Sequence, residues 1–166
     1  MKGLSKKEIV VVSDLEFRKK YYFSLKDISR HFDDKKQMAN SIYVLRKKGR
    51  IVKLNRNKFF LIPIKARTGK WTDNPLIVAD EMLDGENYFI GGAYAAFYWK
   101  LSDQIPMQMD IFTTKRQGKK TLLNKKFVFH RTTKKKTGEA ATQSIENHDF
   151  KIIGKEAAKK WLKSRK

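Results

Sequence analysis

The sequence contains no cysteine, which excludes a disulfide framework, a thiol nucleophile and any zinc site built on sulfur. Histidine is almost as scarce, and His31, His130 and His148 are scattered too widely to mark a metal cluster, so no cofactor is expected. Long apolar runs are missing too. Ile9–Val12 is only four residues long and is followed by Asp14 and Glu16, too short and too charged for a signal segment or a membrane span. A cytoplasmic protein without a membrane partner is expected. Acidic residues are also few: 17 Asp and Glu face 38 Lys and Arg, for a net charge of +21 and a pI near 10.1. Self-repulsion on that scale persists most readily where a polyanion neutralises it, which makes nucleic acid the leading partner.

What is present suffices for folding. At 166 residues and 40% apolar content the chain can bury one ordinary core or two small ones, which argues against global disorder. The charge is unevenly distributed. Residues 1–62 hold 17 basic and 6 acidic residues, whereas 71–99 hold no Lys or Arg. Residues 115–136 then carry ten basic residues and no acidic one. A linker is expected at 63–71, where apolar periodicity stops between two structured readings. The predicted organisation is α+β: a DNA-binding domain at 1–62 and a small α+β domain at 72–166. No internal repeat is visible.

The first segment reads as three helices and a hairpin. Ser5-Lys6-Lys7-Glu8 has the form of a capping box, so helix 1 is expected to begin there despite the β-branched run Ile9–Val12. Ser24 opens a shorter helix with Leu25, Ile28 and Phe32 at core spacing, broken by Asp33-Asp34. A third helix is predicted from about Lys35 to Lys48, stopped by Gly49, with Lys47 and Lys48 suited to its negative end. At about 100° per residue, Met38, Ala39, Ile42 and Leu45 are expected to form its core face. The opposite face presents Lys36, Gln37, Asn40, Tyr43, Val44 and Lys47. Gln and Asn can pair bidentately with adenine, Lys with guanine or phosphate, and Val can touch a thymine methyl. After Gly49, two apolar runs flank Asn55-Arg56-Asn57, which predicts a hairpin with Arg56 at its tip and Lys53 and Lys58 beside it. Three helices and a hairpin in this order predict a winged helix-turn-helix, with helix 3 in the major groove of double-stranded DNA. A small basic α+β domain using helix 3 for protein contact is the alternative.

In the second segment Asn74-Pro75 predicts a helix start, with Leu76, Ile77, Ala79, Met82 and Leu83 as its apolar face. Strands are expected at Tyr88–Gly92, 107–114, 126–130 and 150–154, and helices at Ala93–Leu101 and Lys155–Leu162. Ala93, Ala95 and Ala96 are expected to permit close packing, with Tyr94, Phe97, Tyr98 and Trp99 in the core rather than forming a base-stacking platform. The block Lys115, Arg116, Lys119, Lys120, Lys125 and Lys126 is either a set of phosphate contacts or a solvated loop.

Tyr88-Phe89-Ile90-Gly91-Gly92-Ala93-Tyr94-Ala95-Ala96, then Leu101-Ser102-Asp103-Gln104-Ile105-Pro106, a strand, and Thr114-Lys115-Arg116, resembles the AbiEi antitoxin family. The resemblance implies an N-terminal winged helix-turn-helix joined to a C-terminal α+β antitoxin domain. It further implies an autoregulating transcriptional repressor that binds its operator and counteracts a nucleotidyltransferase-like toxin encoded beside it, in a type IV arrangement that need not require a stable complex. A dimer on DNA is compatible with this reading, although no motif specifies one.

Two other readings stand beside it. One is an RNA- or ribosome-binding adaptor, which the charge allows but the face of helix 3 opposes, because A-form grooves do not admit a reading helix. The other is a metal-dependent nuclease using Asp110 with Asp149-Phe150-Lys151. There is no nucleophile elbow, phosphate-cradling P-loop or metal-spaced His motif, and a protein that is not an enzyme is expected.

Overall fold

The structure is a computed structural model that describes residues 3–66 and 71–165. Arg67, Thr68, Gly69 and Lys70 of the expected linker lie outside the described residues. The chain is mixed α+β and divides into two compact units, Met1–Trp71 and Thr72–Lys166.

In the first unit, α1 (Lys6–Phe17) begins at a complete capping box: Ser5 Oγ accepts from the Glu8 amide, and Glu8 Oε2 accepts from the Ser5 amide at 2.8 Å. The short β1 (Tyr22–Ser24) leads into α2 (Leu25–Ile28) and a 3-10 turn at Ser29–His31. Next, α3 (Lys35–Lys47) is capped by Asp34, whose Oδ1 accepts from the Gln37 amide at 2.7 Å. Its chain exit passes through Gly49 at φ +71°, a left-handed conformation that glycine adopts without strain. A hairpin of β2 (Ile51–Lys53) and β3 (Lys58–Leu61) follows, and β1 joins it in an antiparallel sheet of order β1-β3-β2. Sequence reasoning missed β1, because three residues without periodicity carry no strand signal.

Val11, Val12 and Leu15 of α1 meet Phe23, Ile28, Ile42, Leu45, Ile51, Phe59 and Leu61 in one buried cluster. The β-branched run in α1 is helical: Val11 and Val12 share the buried face with Glu8 and Leu15 at helical spacing, while Ile9 and Val10 are exposed. Ion pairs at the rim tie the helices together. Lys48 Nζ, expected to serve only the α3 terminus, bonds Glu8 Oε2 at 2.6 Å and joins the start of α1 to the end of α3. Asp14 accepts from Arg18, Arg30 and His31, linking α1 to the 3-10 turn.

This cluster predicts an acid response. Burial raises the Asp14 pKa, but hydrogen bonds from His31 and Arg18 and the charges of Arg18 and Arg30 more than reverse that, bringing it from 3.8 down to about 2. A carboxyl depressed in the folded state stabilises fully above its unfolded pKa and loses that contribution as pH falls through the folded one. Wild type should therefore exceed Asp14→Asn in urea-unfolding free energy at about pH 6, with the gap closing between about pH 4 and about pH 2. A gap that persists undiminished at the acid end would assign the effect to packing instead.

The second unit is built on a six-stranded mixed sheet. Its elements are α4 (Pro75–Leu83), β4 (Tyr88–Gly91), α5 (Gly92–Tyr98), β5 (Gln108–Thr113), β6 (Gly118–Leu122), β7 (Lys125–Arg131), α6 (Lys134–Gly138), β8 (Ala141–Ile145), β9 (His148–Ile152) and α7 (Lys155–Lys163). The strand order is β6-β7-β5-β4-β9-β8, with β4–β9 and β5–β7 parallel. Alternation along the strands divides the side chains between two faces. Tyr88, Ile90, Met109, Ile111, Phe127, Phe129, Phe150 and Ile152 form a closed inner face, all fully buried. The Tyr88 hydroxyl donates to Asp80 of α4 at 2.7 Å, and His148 of β9 meets the same carboxylate at 2.9 Å. Burial and that carboxylate push the Tyr88 hydroxyl pKa far up, so it remains a donor.

On the outer face the rings of Phe89, Phe112 and His130 stack in register across β4, β5 and β7, at centroid spacings of 5.0 and 4.8 Å. Gly91 is required there: a Cβ would lie 2.7 Å from Phe112 Cε2. Gly92 has φ +62°, and its Cβ would lie 2.8 Å from Asp110 Oδ2. The aromatic residues of α5 are half-buried rather than fully enclosed, and Ala93 is exposed while Ala95 and Ala96 are buried. Close packing on α5 therefore uses two alanines, not three.

Candidate nucleic-acid interface

The buried face of α3 centres on Met38, Ile42 and Leu45, with Ser41 half-buried beside them. Ala39, expected in that face, is exposed. It lies about 100° from Met38 around the helix, whereas Ser41 lies about 60° away on the other side, nearer the centre line of the contact. The correction widens the outer surface, because Arg46 projects beside Ala39 and is also exposed. Sequence reasoning missed Arg46 because the supposed core position at Ala39 assigned that side of the helix to the interior.

Lys36, Asn40, Tyr43 and Lys47 are exposed and fall within about 60° of arc, running roughly 16 Å along the axis. Tyr43 is 60% exposed, an unusual place for a large aromatic ring on a monomer surface. The other two members of the expected reading face differ. Val44 is half-buried at its edge. Gln37 is exposed, but its Oε1 accepts from Lys7 Nζ at 2.7 Å, so the acceptor needed for bidentate adenine pairing is engaged with α1. At the amino end Asp34 holds the Gln37 amide, which leaves the side-chain cations of the helix, rather than that amide, to meet phosphate.

The hairpin turn is organised by Asn55, whose Oδ1 accepts from the amides of Asn57 at 2.8 Å and Lys58 at 2.9 Å. Leu54 is fully buried beneath it. Arg56 thus stands exposed at the apex, with Lys53 exposed on one strand and Lys58 half-buried on the other.

The basic block of the second unit is ordered secondary structure rather than a loop, for β6 and β7 run antiparallel through it. Lys115, Arg116 and Lys125 are engaged within the fold. Lys115 Nζ donates to the Leu83 carbonyl at 2.6 Å, neutralising the carboxyl end of α4. The Arg116 guanidinium lies 4.2 Å from the Phe129 ring centre. Lys125 Nζ donates to the Pro106 carbonyl at 2.8 Å and lies over Tyr94, and its burial lowers its pKa. All three thus have a structural role within the second unit. Lys119 and Lys126 remain exposed, and Lys120 is half-buried.

The nuclease constellation is not assembled. Asp110 bonds His130 at 2.8 Å, and from strand register it stands roughly 16 Å from Asp149, two strands and four residues away. No group of three or more His, Asp or Glu able to hold a metal occurs among the described residues. No helix among them is long and apolar enough to cross a membrane.

No protein-family model matches the chain, and no curated protein matches it. Among solved structures it is similar to the RV2827C protein from Mycobacterium tuberculosis, with a TM-score of 0.58 and 17% identity over 86% of this chain. The chain spans about half of that protein, 51% of its length. At this identity the likeness is one of fold, and the fold shared is the mixed α+β arrangement described above.

Proposed function

We propose that this chain is a sequence-specific double-stranded DNA-binding transcriptional repressor whose first unit is a winged helix-turn-helix. The observation that carries the reading is the exposed stripe of α3, where two lysines, an asparagine and a tyrosine lie opposite the packing face of Met38, Ile42 and Leu45. The element order supports it, since α2, the 3-10 turn and α3 precede a hairpin whose sheet is completed by β1. In such modules the last helix enters the major groove and the wing follows the backbone. Asn40 is assigned to a base edge. Lys36, Arg46 and Lys47 with Lys53, Arg56 and Lys58 are assigned to backbone phosphates. The AbiEi-like motifs extend the proposal to an autoregulating antitoxin acting against a nucleotidyltransferase-like toxin, and a cytoplasmic location goes with it.

The test is fluorescence anisotropy of the full chain on duplex DNA from upstream of its own gene, a shuffled duplex and structured RNA at physiological salt. Preference for the upstream duplex is expected, and preference for RNA would overturn the reading. Asn40→Ala should weaken only the cognate duplex, by about five- to a hundredfold, as loss of one bidentate base contact requires. Equal weakening on cognate and shuffled DNA would remove its base-reading role. Co-expression with a nucleotidyltransferase-like toxin from the neighbouring gene should restore growth if the antitoxin reading holds.

A further inference from the structure

The motif Gly91-Gly92, which DNA binding leaves unexplained, borders a cavity of about 530 Å³ over the outer face of the second unit's sheet. Small-molecule sites commonly enclose roughly 300–1,000 Å³ and pair apolar walls with a few directed polar groups. This cavity fits that pattern. Phe89 and Phe112, stacked on one another at 5.0 Å, line it from the sheet, and Trp161 of α7 adds a third ring. Arg131 at the end of β7 and Lys136 of α6 bring two cations to its rim, with Glu139 as the one acidic group lining it. The amino end of α7 also borders it: Gly154, the N-cap, lines the cavity and offers no side chain to cap the helix. The first-turn Glu156 is exposed.

Aromatic walls alone would suit an apolar ligand, and cations alone a simple anion. The two together demand a ligand with a flat ring system and an anionic group. Gly91 lets the Phe112 ring lie against β4, because any side chain there would collide with that ring. We propose that this cavity binds a nucleotide, its base against the aromatic wall and its phosphate at Arg131, Lys136 and the amino end of α7. The nucleotide is either free or the 5′-phosphorylated end of a strand.

Isothermal titration of the full chain at about 0.15 M salt with the four ribonucleoside 5′-monophosphates tests this. Inorganic phosphate, the unphosphorylated nucleosides and a 5′-phosphorylated trinucleotide form the comparison arms. Saturable binding of at least one monophosphate is expected, about tenfold or more tighter than phosphate or nucleoside alone. The Arg131→Ala/Lys136→Ala double variant should lose about tenfold, and Ala157→Trp, which fills the cavity from the exposed side of α7, should abolish binding with the melting curve unchanged. Tighter binding of the trinucleotide would identify a strand end, and equal or weaker binding a free nucleotide. Absence of saturable binding, equal affinity for phosphate alone, or unchanged affinity in the double variant would overturn the proposal. So would loss of binding in Lys36→Ala/Lys47→Ala, which would assign nucleotide affinity to the first unit.

Discussion

Replacing Lys36 and Lys47 together by alanine is expected to weaken duplex binding about ten- to thirtyfold at physiological salt, on cognate and random sequences alike. Both lysines are exposed on the α3 stripe, at opposite ends of a helix length that spans several phosphates. Each phosphate contact releases condensed counterions, so losing two should reduce the slope of log affinity against log salt by about 1.8. Lys125→Ala supplies the contrast. Its ammonium is held by the Pro106 carbonyl and the Tyr94 ring, so its removal should cost stability and leave the salt slope unchanged. Anisotropy titrations across salt separate the two effects. An unchanged slope in the double variant would remove α3 from the interface, whatever happened to the affinity.

Gly91→Val is expected to destabilise the second unit by about 2–3 kcal/mol, the upper range for forced overpacking. A Cβ at this position meets Phe112 Cε2 at 2.7 Å, and Phe112 has no room to yield because Phe89 and His130 flank it on either side. Valine adds two further methyl groups to that clash. For a unit of this size the loss corresponds to roughly 10–20 °C in melting temperature, readable by circular dichroism. The sheet would have to open at β4, its central strand beside β5 and β9. A variant that melts with the wild type would mean the ring stack is not rigid, which would also remove the floor of the proposed nucleotide cavity.

Local signals were legible where the chemistry is local. The Ser5/Glu8 box, the Asp34 to Gly49 limits of α3, the Asn74-Pro75 start of α4 and the hairpin turn at Arg56 each depend on residues within one turn of one another. Elements made stable only by their neighbours were not. β1 has three residues and exists because β3 offers it a partner. β6 was hidden inside a basic block, for Lys119 and Lys120 sit on an edge strand, where charge discourages further pairing and masks the apolar alternation of a buried strand. The same limit applied to the candidate interface. The outer face of α3 could be laid out from angular spacing, but whether Gln37 was available depended on Lys7, thirty residues away.

By itself the sequence determined the strongly basic balance, the absence of thiol and disulfide chemistry, the helix limits and the polar stripe on α3, because composition, capping and periodicity are properties of the chain alone. The tertiary structure decided which cations remain available. Lys48, Lys115, Arg116 and Lys125 are spent on Glu8, the α4 carboxyl end, Phe129 and Pro106, partners that a linear charge count does not include. It also decided that Gly91 lies beneath a ring stack and beside a cavity. The reason is physical: a charge or a glycine acquires its role from what the fold brings within a few ångströms, and strand order, not sequence distance, sets that neighbourhood.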